Sequence, residues 1–76
     1  MKPDEIEATR KLIEVKERLK DTLYALISAD LACIQRSVTR ASKKEYTAEI
    51  VLTLEKIKRI YAEIEALENE LRDEGE

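Results

Sequence analysis

Ile34-Gln-Arg-Ser-Val-Thr-Arg-Ala-Ser-Lys-Lys-Glu-Tyr46, "IQRSVTRASKKEY", is the stretch on which the reading of this chain turns. Helix-like sequence lies on both sides of it. It contains neither Gly nor Pro, yet the charge pattern changes here. Arg36, Arg40, Lys43 and Lys44 fall at this point with no acid between them. The stretch is either the end of a helix, a turn, a pair of short strands or a binding tip.

Downstream of it, Ile50, Leu54, Ile57, Ile60, Ile64, Leu67 and Leu71 recur at three- and four-residue steps, one face of an amphipathic helix. The residues between them are rich in good helix formers. Ser42-Lys-Lys-Glu45 has the form of a capping box and predicts a helix start near residue 43. Gly75 is a C-terminal stop signal. The second helix is therefore expected over about residues 43 to 73.

Upstream, Ala8, Leu12, Val15, Leu19, Thr22 and Leu26 step by four and three, which predicts a first helix. Ile13, Leu23 and Ile27 widen that apolar stripe. Pro3 suits a helix start, and Asp4 with Glu7 resembles a capping box.

Residues 28–41 admit two readings. The rhythm Ile27, Leu31, Ile34, Val38, Ala41 continues the first helix and gives two arms of matched length. Alternatively the helix ends near Ser28-Ala29-Asp30, and "LACI" and "SVT" form two short strands. Gln35-Arg36 is poor chemistry for a two-residue hairpin, so spacing favours the helix. A continuous helix sets Asp30 at the edge of an apolar face, where an unpaired carboxylate is costly. Ile34 and Val38 face the apolar side in both readings. Either way the chain is mainly α, one domain over residues 1–76. Two long amphipathic helices form an antiparallel hairpin connected near residues 28–43, and two such hairpins would make a four-helix bundle.

Seventy-six residues without Trp or Phe support only a small core of Leu, Ile, Val and Ala. Cys33 is the single cysteine, so no disulfide reinforces it. Small unstapled scaffolds gain stability by association, so a homo-oligomer or docking into a larger assembly is expected. Ile6, Ile13, Leu23, Ile27, Ile57, Ile60, Tyr61 and Ile64 spread over more face than one partner helix covers. Leu12, Leu19, Leu26, Ile27, Ile50, Leu54, Ile57, Ile60, Ile64 and Leu67 are the candidate packing or oligomer face.

The lone cysteine, the charged N-terminus and the lack of any long apolar run lead to the expectation of a soluble, cytoplasmic protein without membrane contact. Catalysis is poorly supported. There is no His to activate Ser28, Ser37, Ser42 or Cys33, and no Cys/His cluster for zinc. No cofactor, metal or small-molecule substrate is expected, and Cys33 reads as a small apolar packing residue.

Net charge is −3, unevenly distributed. Residues 31–44 carry four basic and no acidic groups, while residues 45–76 carry four basic and ten acidic ones. Arg36, Arg40, Lys43 and Lys44 could contact phosphates of a nucleic acid, with Tyr46 beside them to stack on a base. The plainer reading is a solvated turn.

The run Arg36–Leu71, "RSVTRASKKEYTAEIVLTLEKIKRIYAEIEALENEL", resembles the C-terminal half of small head–tail joining proteins of tailed phages, the lambda W type and related short phage proteins. Thr39-Arg40-Ala41-Ser42 occupies their helix-start position, and the Gly of their hairpin turn is replaced by Gln35 or Arg36. The resemblance implies an N-terminal helix, a short β-hairpin and a second helix. It further implies a structural, non-catalytic protein, virion-associated, that assembles through its helices at the capsid vertex.

Overall fold

The structure is a computed structural model that describes the backbone of residues 2–75 and the side chains of residues 2–73. It contains two helices, α1 (Pro3–Arg36) and α2 (Arg40–Gly75), and no strand among the described residues. They pack against each other along their length as an antiparallel hairpin measuring 56 × 14 × 13 Å. The continuous-helix reading of residues 28–36 therefore holds, and the strand pair, including the β-hairpin implied by the phage resemblance, is absent.

The connection is only Ser37, Val38 and Thr39. Hydroxyl chemistry makes this turn without Gly or Pro. The Ser37 hydroxyl donates to the Cys33 carbonyl at 2.7 Å, and the Ser37 N–H donates to the Ile34 carbonyl at 3.2 Å. Both bonds occupy terminal carbonyls of α1 and end it. Thr39 then caps α2, its hydroxyl oxygen accepting the Ser42 N–H at 3.2 Å. No described non-Gly residue needs a positive φ. The predicted Ser42–Glu45 capping box is thus not the helix start. α2 begins three residues earlier, because Thr39 reaches the third residue of the helix with the geometry that Ser42 had been expected to supply. At the other end, Glu5 rather than Glu7 reaches back, accepting the Lys2 N–H at 3.4 Å, with Pro3 in the first turn.

Which faces meet is the main surprise. The seam of α1 is formed by the half-buried or buried residues Ile6, Thr9, Ile13, Lys16, Lys20, Leu23, Ile27, Asp30 and Ile34, with Ala32 and Cys33 half-buried beside it near the turn. On α2 the seam is Tyr46, Ile50, Thr53, Ile57, Ile60, Ile64, Leu67 and Leu71, with Ser42 and Glu63 half-buried at its edge. Both series alternate steps of three and four, the seam of a two-stranded coiled coil. The α2 seam follows the predicted stripe except that Thr53 replaces Leu54, which is exposed. The α1 seam is instead the series that had been expected only to widen the stripe. Among the described residues the fully buried apolar core reduces to Ile57, Ile60 and Ile64, all on α2.

Polar residues complete the seam. Lys16 forms an ion pair with Glu63 across the two helices. The Lys20 ammonium lies 4.7 Å from the centre of the Tyr61 ring. Both lysines lay their alkyl stems along the seam and take their charge to its edge. Thr53 is 3% exposed and donates to the Glu49 carbonyl at 2.9 Å, so its hydroxyl is not stranded.

Candidate interaction surfaces

A one-layer seam leaves two long edges open. Along one edge of α1 run Ala8, Leu12, Val15, Leu19, Thr22 and Leu26, all exposed. Leu12 is 44%, Val15 58%, Leu19 48% and Leu26 40% exposed. A lone exposed leucine is ordinary, but a row with coiled-coil spacing on one face is not. It forms a second seam on the same helix, about a quarter-turn from the first, and Ala29 and Cys33 continue it. Between the helices on this face, Leu19, Leu23 and Ile60 floor a shallow groove rimmed by Lys56 and Arg59.

The opposite edge carries Tyr24 and Tyr61, whose hydroxyls lie 3.3 Å apart. One heptad further towards the turn, Leu31 and Leu54 occupy the corresponding edge positions and are 50% and 48% exposed. Val51 and Leu52 add apolar surface on the outer side of α2. The Tyr24 phenol is held above its ordinary pKa, chiefly by the hydrogen bond with Tyr61 and then by burial.

The predicted packing residues therefore divide. Ile57, Ile60 and Ile64 are buried, and Ile27, Ile50 and Leu67 are half-buried in the seam. Leu12, Leu19, Leu26 and Leu54 face solvent in the single chain.

The basic residues gather at the turn end of the hairpin. Arg36 ends α1, Arg40 opens α2, and Lys43 and Lys44 lie in the first turn of α2. All four are exposed. No acid occupies the first turn of α2, so its positive dipole end adds to their field. Val38, expected on the apolar side, is 97% exposed at the tip. The turn lifts it off both helices, which corrects that expectation, while Ile34 is half-buried as expected.

Just inside the tip lies a group that the sequence only half announced. Cys33 and Tyr46 are half-buried, and Asp30 is 5% exposed with its Oδ2 making no hydrogen bond. The Tyr46 phenol is raised above its ordinary pKa, first by its side-chain hydrogen bond to Cys33 and the electrostatic influence of that neighbour, then by burial, and by Asp30 and Glu45. Asp30 was expected at the edge of an apolar face; it lies within the seam itself. Its burial could have been found from its seven-residue spacing to Leu23, had Leu23 been taken as seam rather than flank.

Among the described residues no group of three or more His, Cys, Asp and Glu side chains is placed to hold a metal ion. Among the same described residues no helix is long and apolar enough to cross a membrane. Compared with known protein families, curated proteins and solved structures, the chain matches none.

Proposed function

We propose that this is a non-enzymatic structural or adaptor protein that works by binding other helices through its unpartnered apolar faces. The observation that carries this reading is the exposed row Leu12, Val15, Leu19 and Leu26, a coiled-coil seam without a partner in the single chain. A helical assembly such as a tailed-phage head–tail joint is one setting in which such a part would serve. The resemblance of Arg36–Leu71 and the start of α2 at Thr39-Arg40 support that setting. The missing β-hairpin opposes it. Sedimentation equilibrium at micromolar to millimolar protein tests association directly. Self-association is the expected result, and a well-folded monomer across that range would overturn the self-associating form of the reading.

A second reading rests on the four exposed cations at the tip. Nucleic-acid binding through Arg36, Arg40, Lys43 and Lys44 would weaken steeply with salt and vanish when all four are changed to Glu. No binding to RNA or DNA at low ionic strength would eliminate it.

A further inference from the structure

The surface of the hairpin is too large for its mass. The chain exposes 6037 Å². A compact monomer of 8.8 kDa exposes about 4,800 Å². The excess, on the order of 1,200 Å², matches what one protomer contributes to a substantial obligate dimer interface.

The pattern of the open seam says what fits it. We propose that the occupant is a second copy of this chain, with α1 packed antiparallel on α1 about a two-fold axis that passes between Leu19 and Thr22. This rests on the reading of the protein as a helix-binding structural part. In that register each large residue of the row meets a smaller or branched one of the partner copy. Leu19 faces Thr22, Val15 faces Leu26 and Leu12 faces Ala29. Such alternation lets the layers interdigitate. All of Leu12, Val15, Leu19, Thr22, Leu26 and Ala29 then lose their exposure together.

Charge supports the same axis independently. Lys16 on α1 pairs with Glu63 on α2, which fixes the alignment of the two helices. With that alignment the axis crosses α2 between Lys58 and Arg59, inside the interval from Lys56 to Glu63 and one residue short of its centre. Each Lys56 then lies within two residues, about 3 Å along the helix, of the level of Glu63 in the other copy, within reach of a lysine side chain. Among the described residues Lys56 makes no ion pair within its own chain. It rims the groove floored by Leu19, Leu23 and Ile60, which lies on the axis. The product is a four-helix bundle of two hairpins.

Disulfide trapping tests the register. The proposed axis places residue 8 of one copy against Cys33 of the other. Within one chain these positions are about 38 Å apart along α1, at 1.5 Å per residue, so no intrachain bond can form. The Ala8→Cys variant, oxidised under mild conditions and mapped by peptide mass spectrometry, should yield the 8–33 intermolecular link as the dominant product. Leu19→Glu, at an exposed position of the single chain, should retain full helicity and sediment as a monomer.

A dimer that forms only 8–8 and 33–33 links would overturn the antiparallel register while leaving self-association standing. A Leu19→Glu protein that remains dimeric would overturn the use of this face. A wild-type chain that is monomeric at millimolar concentration would overturn both this inference and the self-associating reading beneath it.

Discussion

Single side chains of this protein behave according to where the hairpin places them, and Asp30 is the clearest case. Its carboxyl is buried with one oxygen unpaired. A buried acceptor without a donor costs about 1–3 kcal/mol, so Asp30→Leu should stabilise the fold by an amount of that order, read as a higher urea midpoint. Ile34 and Val38 make a contrasting pair. Ile34→Asp puts a charge into the end of the seam and should cost about 2 kcal/mol or more. Val38→Asp, on a residue 97% exposed, should change stability by less than about 0.5 kcal/mol in the same denaturation series. Tyr24 and Tyr46 couple the fold to alkaline pH. Their folded-state pKa values lie above those of the unfolded chain, through the Tyr61 and Cys33 hydrogen bonds first. The stabilisation they provide is complete below the unfolded value near pH 10 and is lost as pH rises through the folded values. Melting temperature should therefore fall above about pH 10, and less steeply in a Tyr24→Phe, Tyr46→Phe double variant. An identical pH profile for the two proteins would refute the coupling.

The two helices owe their ends to different chemistry and their pairing to a shared seam. α1 stops because Ser37 turns its hydroxyl and N–H back on the Cys33 and Ile34 carbonyls. α2 starts because Thr39 holds the Ser42 N–H. Thr39→Ala should therefore cost about 1 kcal/mol, and Thr39→Asn or Thr39→Asp should largely restore it, as measured by thermal melting. Within α2 the buried isoleucines carry the intramolecular contact, so Ile60→Ala should destabilise by about 2–4 kcal/mol. The periodicity of both helices was readable, as was the preference for a continuous α1 over a strand pair. The start of α2 was misplaced by three residues because Ser42-Lys-Lys-Glu45 and Thr39-Arg-Ala-Ser42 both offer a hydroxyl three residues ahead of a helical N–H. Local sequence cannot rank two such caps when the length of the connection is unknown.

At the scale of the whole molecule, a radius of gyration of 17.2 Å, against about 11 Å for a compact 76-residue domain, marks a rod with a single layer of core. Association of such rods predicts a concentration-dependent melting temperature that rises with protein concentration, visible by calorimetry over a hundredfold range. A constant value would argue for a stable monomer. The amino-acid order by itself determined that there are two long amphipathic helices, that they fold back on each other within residues 28–43, and that an acid-free run of four basic residues, Arg36, Arg40, Lys43 and Lys44, marks the connection. It also contained more apolar face than one partner helix could cover. It did not determine which face of α1 would be covered by α2. Ala8, Leu12, Val15, Leu19, Thr22 and Leu26 form the cleaner stripe, whereas the seam actually used contains Lys16, Lys20 and Asp30. Only tertiary structure decided between them. A three-residue connection leaves α1 little freedom to rotate about its axis, so Ile34 must face α2, and every inward position follows from it in steps of three and four. Lys16 with Glu63 and Lys20 over Tyr61 then make that phase tolerable for two lysines. The better apolar stripe is left on the outside.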